Sequence, residues 1–165
     1  MSNSIIIREA LTSDADAIWE IFHQVVKAGD TYAFDPDTTK EVFRTLWLAP
    51  NMKTYVAEQN GVVIGSYFIK PNQPGLGAHI ANCGYMVRAD ARGKGIGGKL
   101  CAHSIEIAKQ LGYRGMQYNI VVSTNTKAVE LWKKFGFRII GTIPGGFRHL
   151  HSGYVDAYIM FREIG

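Results

Sequence analysis

The tightest constraint on this chain lies in residues 84–100, Gly-Tyr-Met-Val-Arg-Ala-Asp-Ala-Arg-Gly-Lys-Gly-Ile-Gly-Gly-Lys-Leu. Just before and within it, Ile80, Asn82, Gly84 and Met86 alternate with Ala81, Cys83, Tyr85 and Val87, which predicts a strand. Four glycines follow within six residues, Gly93, Gly95, Gly97 and Gly98, and an amphipathic run from Leu100 to Leu111 predicts a helix. The glycines therefore sit where a strand passes into a helix. Glycine lets the backbone come close to a ligand, and the first N–H groups of a helix have no partner of their own. Together with the helix dipole they form a socket for phosphate. The plainer reading is a glycine-rich turn that binds nothing; the favoured one is a site for a pyrophosphate-bearing ligand.

The flanking residues separate the ligand classes that use such a socket. Gly93-x-Gly95-x-x-Gly98 satisfies the dinucleotide fingerprint, but that reading wants a carboxylate about 20 residues on. The only acid between Gly98 and Asn125 is Glu106, in the middle of the predicted helix. Gly93-(x)4-Gly98-Lys99 fits most of a P-loop, yet Leu100 stands where a Ser or Thr would hold Mg²⁺. The third pattern is Arg92-x-x-Gly95-x-Gly97, with Val87 closing the strand and basic Arg88, Arg92, Lys94 and Lys99 around the turn. It resembles the acetyl-CoA loop of the GNAT superfamily of N-acetyltransferases.

Composition agrees with a small anionic ligand rather than a polymer. The net charge is +4, and the basic residues are dispersed apart from the 88–99 cluster, so no nucleic-acid stripe is expected. The first residues lack the apolar core of a signal peptide, and no apolar run approaches a membrane span. Cys83 and Cys101 fall in a predicted strand and helix without metal-ligand spacing. They read as reduced core thiols of a cytoplasmic protein.

At 165 residues the chain fits one domain, 1–165. Residues 4–9 predict a first strand. Thr12-Ser13-Asp14 opens a helix ending at Gly29, and residues 30–37 form a loop. Thr38 with Glu41 makes a capping box for a short helix through Leu48. Strands 53–59 and 62–70 are joined by Asn60-Gly61, a hairpin signal. After the loop 71–78 come the strand at 80–87, the glycine turn and a helix over 96–111. Then follow a strand over Met116–Val122, a helix over 125–135 ended by Gly136, and strands Phe137–Ile143 and Tyr154–Phe161. The order βααβββαβαββ predicts an α/β sandwich. It is also the GNAT order, which implies a central mixed, mostly antiparallel twisted sheet of about seven strands flanked by about four helices.

A second segment carries the same resemblance. Asn119-Ile-Val-Val-Ser-Thr-Asn125-Thr-Lys-Ala128-Val-Glu-Leu131-Trp-Lys-Lys-Phe-Gly136-Phe137 is similar to the family's strand–helix unit Asn…Ala…Leu-Tyr-x-Lys-x-Gly-Phe. Gly65–Asn72, Asn82–Val87, Tyr118–Asn125, Gly141–Pro144 and, more loosely, Gly29–Tyr32 resemble a fungal branch that acetylates proline analogues and related small amino acids. The resemblance implies acetyl-CoA as co-substrate, no metal, a small-molecule amine acceptor and a possible homodimer. It assigns Met86, Val87, Arg88, Arg92, Gly93, Lys94, Gly95, Ile96, Gly97, Gly98, Asn125 and Lys127 to the coenzyme. It makes Asn82 and Asn119 the catalytic and substrate-placing residues, with Tyr32, Phe34, Arg148 and Asp30 further candidates for substrate contact.

Two departures from the family pattern bear on mechanism. Many relatives carry a glutamate, acting as base through water, where this chain has Asn82. A carboxamide orients but does not take a proton. Trp132 stands where many relatives have the tyrosine that protonates the leaving thiolate, which leaves Tyr118, Tyr85 and Tyr32 as candidate acids. His149-x-His151 has no Cys or acid at ligand spacing and reads as a loop pair. The 30–37 and 144–153 loops are expected to wall the substrate site. A peptide N-acetyltransferase and a non-catalytic acyl-CoA sensor are the competing readings.

Overall fold

The structure, a computed structural model, describes residues 3–165. Seven strands form one sheet in the order β1-β2-β3-β4-β5-β7-β6. They are β1 (Ile5–Glu9), β2 (Lys53–Gln59), β3 (Val62–Pro71), β4 (Ile80–Val87), β5 (Gly115–Val122), β6 (Arg138–His149) and β7 (Gly153–Glu163). Four helices flank it: α1 (Ala15–Ala28), α2 (Lys40–Trp47), α3 (Ile96–Gln110) and α4 (Thr126–Lys134). This is the expected α/β architecture. The β4–β5 pair is parallel and the other pairs are antiparallel.

The alternation of β4 divides the core between two faces. Ala81, Cys83 and Tyr85 pack with Leu100, Cys101 and Ile105 of α3, while Met86 joins Phe22 of α1 and Phe43 and Trp47 of α2. On the second face Trp47 meets the Phe68 ring edge-on at 4.8 Å and donates through its indole N–H to Ser66 Oγ at 3.0 Å. Gly84 makes this packing possible, since a Cβ there would lie 2.7 Å from the Phe68 ring. Glycine at this strand position leaves space for an aromatic pair.

Several boundaries differ from the sequence expectation. The cap of α2 is Thr39, whose hydroxyl accepts from Val42 N–H, rather than Thr38. Thr38 instead donates to the Asp35 carbonyl, closing a turn one residue earlier. Thr12–Asp14 is a 3₁₀ turn before α1, with the Asp14 carboxylate accepting from Leu11 N–H at 2.7 Å. The largest difference is in the last hairpin. Residues 144–149, expected as loop, continue β6, because Pro144-Gly145-Gly146 forms a bulge between the paired segments rather than ending the strand. Gly145 takes φ +59° and donates its N–H to Asp156 Oδ1 at 3.0 Å, which anchors the bulge.

Candidate functional site

The site grows out of an unfinished strand pairing. β4 and β5 pair only at Ile80↔Gly115 and Ala81↔Met116. Beyond that point the Asn82 side chain bridges the gap, its Nδ2 donating to the Gln117 carbonyl at 3.0 Å. Toward β3, Asn72 N–H bonds the Ile80 carbonyl and Arg88 N–H bonds the Ile64 carbonyl. Even-numbered residues of β4 therefore spend their backbone groups on β3, and Cys83, Tyr85 and Val87 turn theirs toward the seam. Among Met86, Val87 and Arg88, only Val87 offers its backbone there. Met86 is buried in the α1 core, the Arg88 carbonyl accepts from Ala91 N–H, and its guanidinium pairs with Asp90 at 2.5 Å.

Tyr32, from the loop after α1, reaches into this seam. Its hydroxyl accepts from Tyr85 N–H at 2.6 Å and donates to the Tyr85 carbonyl at 2.7 Å, standing in for a missing strand neighbour. Burial pushes its pKa above the ordinary tyrosine range. Its ring stacks on Phe34 at 5.6 Å and meets Trp47 edge-on, so Tyr32 and Phe34 form one aromatic wall over the α2 core. The tip of the β6–β7 hairpin closes against the same loop. Leu150 N–H donates to the Gly29 carbonyl at 2.9 Å, and the Leu150 side chain fills the space a Cβ on Gly29 would need.

At the far end of β4, Gly93 and Gly95 both take φ +77°, a left-handed conformation that other residues adopt at a cost. The first bond within α3 runs from Lys99 N–H to the Gly95 carbonyl, and no side chain caps the helix. Ile96, Gly97 and Gly98 thus begin a fifteen-residue helix with N–H groups that have no acceptor in it. Arg92, Lys94 and Lys99 are exposed around them. Space around Gly93 and Gly95 is open, with no atom within 4 Å of a Cβ placed there. Gly97 and Gly98 face Leu131 of α4, and a shallow groove of about 430 Å³ runs along that helix past Thr126, Lys127, Glu130, Leu131 and Lys134. Asn125 caps α4, its Oδ1 accepting from Ala128 N–H at 3.4 Å. Backbone donors, glycines without side chains and basic residues fit a diphosphate at this turn.

The opposite mouth of the seam is lined by side chains. Gln117 Nε2 donates to Asn119 Oδ1 at 3.0 Å, and Asn119 Nδ2 donates to Asn72 Oδ1 at 2.8 Å. These bonds link three carboxamides, of Gln117 and Asn119 on β5 and Asn72 in the turn that follows β3, and the Asn82 carboxamide of β4 joins them through the Gln117 backbone carbonyl. Lys70 sits in register opposite Asn82, and its Nζ lies 5.5 Å from the centre of the Phe68 ring. Sequence reasoning selected Asn82 and Asn119 but missed Lys70, Asn72 and Gln117. The signal was available in the strand alternation, which sets Lys70 on the face of Phe68 and Gln117 on the face of Asn119.

The remaining candidates are placed differently. Tyr85 and Tyr118 point to the α3 face, hydroxyl to hydroxyl at 2.9 Å, with Tyr85 also on Ser104 Oγ at 2.7 Å. Burial raises both pKa values well above 10, so both stay protonated at neutral pH. Trp132 packs on both rings, at 5.1 and 5.0 Å. Burial also pushes the Cys101 thiol up to about 11 and raises that of Cys83. Arg148 is exposed on β6, paired in register with Tyr154. His149 Nδ1 accepts from the N–H groups of His151 and Ser152, which commits that ring nitrogen to the hairpin turn. Among the described residues no helix is long and apolar enough to cross a membrane.

A seam of this kind, with an amide turn at one end and a polar pocket at the other, can be compared with known proteins. The profile of the Acetyltransferase (GNAT) family matches residues 16–137. The chain belongs to that family. N-acetyltransferase aca1 of Schizosaccharomyces pombe is 38% identical over 112 residues, which cover 67% of this chain and 54% of the relative. The chain thus spans about half the length of that relative. L-amino acid N-acetyltransferase AaaT of Escherichia coli is 31% identical over 162 residues, covering 97% of this chain and 98% of the relative. Among solved structures, a GCN5-related N-acetyltransferase from Kribbella flavida superposes with a TM-score of 0.92. It is 45% identical, over 96% of this chain and 97% of that one.

Proposed function

We propose that the domain moves the acetyl group of acetyl-CoA to a primary or secondary amine of a small molecule, an amino acid or an analogue of one. The observation that carries this reading is the set of carboxamides of Asn72, Asn82, Gln117 and Asn119 beside the β4–β5 seam. A small polar acceptor suits such side chains, and the name of the AaaT relative points the same way. The coenzyme's diphosphate is held by the N–H groups of residues 93–98, with Arg92 and Lys94 as its charge partners. Lys127 lines the groove along α4, and Asn125 caps that helix. The pantetheine arm follows β4 at Val87, toward Tyr85.

The chemistry then rests on placement. The Tyr85 N–H, now taken by the Tyr32 hydroxyl, is the strand donor suited to a thioester carbonyl once that hydroxyl gives way. A donor of this type contributes about 2.7–4 kcal/mol of barrier lowering in other acyl transfers. Holding the two reactants in line contributes on the order of 7–11 kcal/mol, so positioning dominates. Asn82 Oδ1 accepts from the acceptor amine, and Asn119 fixes the mouth against Asn72. Neither carboxamide removes a proton, so the amine attacks in its neutral form; the N–C bond forms as the C–S bond breaks, and the proton the nitrogen sheds passes through water to the leaving CoA thiolate. Tyr32 and Phe34 wall the acceptor, and Arg148 is held at the hairpin rim. The outer edge of β6 has no strand neighbour in the sheet and carries exposed Ile139, Ile140 and Ile143, which supports a homodimer across that edge.

The test is thiol release on mixing the protein with acetyl-CoA and a panel of amines, amino acids and short peptides. Turnover confined to small amines supports the reading. Preference for peptides would replace it with peptide acetylation, and binding of acetyl-CoA without turnover of any amine would replace it with sensing.

A further inference from the structure

We propose that Lys70 is a specificity-determining residue that binds a carboxylate on the acceptor, which makes α-amino acids rather than simple amines the substrate class. The inference rests on the acetyltransferase reading above and narrows it. Lys70 ends β3 directly opposite Asn82 on β4. Strand alternation sets its side chain on the α1/α2 face with Phe68, and the 5.5 Å contact with that ring confirms the direction. Residues facing each other across two strands have Cβ atoms about 4.5–5.5 Å apart. Lys70 and Asn82 are therefore neighbours at one mouth.

The charge at this position is unmatched. Lys70 is half-buried, and the ion pairs among the described residues do not include it. The ring it lies over is Phe68 and its cross-strand partner is Asn82, and neither carries charge. A cation over an aromatic face is weakly held and still lacks a counter-ion.

The carboxamides also have a direction. Gln117 donates to Asn119, Asn119 to Asn72, and Asn82 through Nδ2 to the Gln117 carbonyl, so that Oδ1 is the acceptor the Asn82 side chain has left to offer. The mouth thus offers an acceptor for an amine beside a cation for an anion. An α-amino acid carries an amine and a carboxylate one carbon apart and satisfies both. An amine without the carboxylate leaves the ammonium of Lys70 partly desolvated and alone, a costly arrangement.

The experiment compares L-alanine, L-leucine, L-phenylalanine and L-proline with their methyl esters, for the unaltered chain, Lys70→Met and Lys70→Arg. Methionine keeps the apolar stem over Phe68, and melting temperatures check folding. The expected result is a kcat/KM at least about tenfold higher for at least one free acid than for its ester, expressed in KM. That ratio collapses to within about threefold of unity in Lys70→Met and is largely kept in Lys70→Arg. Calorimetric titration of the same acids and esters into CoA-loaded protein gives an independent reading of the same preference.

Esters acetylated as well as acids, or a ratio untouched by Lys70→Met, overturn the Lys70 assignment and leave amine acetylation standing. Failure of every amine and peptide to be acetylated overturns the enzymatic reading. The titration then still decides whether Lys70 binds a carboxylate.

Discussion

Around residues 93–98 the hydrogen-bond donors offered to a ligand belong to the backbone, with Arg92, Lys94 and Lys99 as exposed cations beside them. At the other mouth of the same seam the polar groups belong to the side chains of Lys70, Asn72, Asn82, Gln117 and Asn119, with Lys70 and Asn82 paired across β3 and β4 and Gln117 paired to β7. A backbone-built site depends on φ and on the lack of a Cβ. Its ligand is consequently fixed by the chain's path and changes little with the residues nearby. A side-chain site depends on chemistry carried by a few positions and is free to change acceptor without disturbing the donor. One seam therefore combines an invariant coenzyme with an adjustable amine.

The comparison is broken most severely by Gly95→Glu. The new residue must hold the left-handed conformation, at a cost of about 1–3 kcal/mol, and it sets a carboxylate against the diphosphate. CoA affinity is expected to fall by at least about a hundredfold in a calorimetric titration, while the melting temperature falls by about 2–12 °C and the protein stays folded at the titration temperature. The matching change at the other mouth is Asn119→Ala. It unties Gln117 and Asn72 and is expected to lower kcat/KM for the acceptor by about tenfold or more, with the CoA Kd moving less than about twofold. Equal losses in both constants would erase the distinction between the mouths.

Tyr32→Phe probes the boundary between them. It removes the hydroxyl that competes for Tyr85 N–H, so acetyl-CoA is expected to bind about two- to tenfold more tightly. The free protein is expected to melt roughly 2–4 °C lower, because two backbone groups lose their partner. Weaker acetyl-CoA binding would assign the hydroxyl to the bound state instead.

The smallest effect belongs to a distant control. Arg8 holds the Asp14 carboxyl below its ordinary range through a 2.7 Å ion pair. A carboxylate with a depressed folded-state pKa stabilises the fold above its unfolded value, near pH 4, and loses that contribution as pH falls further. Arg8→Met is expected to cost about 1 kcal/mol at neutral pH and to flatten the acid limb of the stability curve. Both binding constants should stay as they were, as read by denaturant melts and titrations across pH.

Legibility in the sequence follows the same division. The glycine turn, the Asn60-Gly61 hairpin and the amphipathic helices were readable because each is a local rule of spacing. Asn82 and Asn119 came from resemblance, and the residues that complete their network did not. Gln117, Asn72 and Lys70 acquire meaning only when β3, β4 and β5 are set in register, which is information spread over 47 residues between Asn72 and Asn119. Tyr32 shows the same limit. Its hydroxyl fills a gap in strand pairing 53 residues away, and no local pattern marks such a partner. The Pro144-Gly145-Gly146 bulge was misread for the opposite reason, because turn residues inside a strand obey a local rule that the Asp156 bond overrides.

The central claim is that donor and acceptor are held by separate mouths, one of amide backbone and one of side chains. Nitrogen–proton correlation spectra of the labelled protein test it most directly. Titration with CoA should move the backbone amide signals of Gly93, Gly95, Ile96, Gly97 and Gly98 most, and leave the side-chain amide signals of Asn72 and Asn119 nearly in place. Signals of the turn that stay fixed at saturating CoA, while the carboxamides of the other mouth shift, would contradict it.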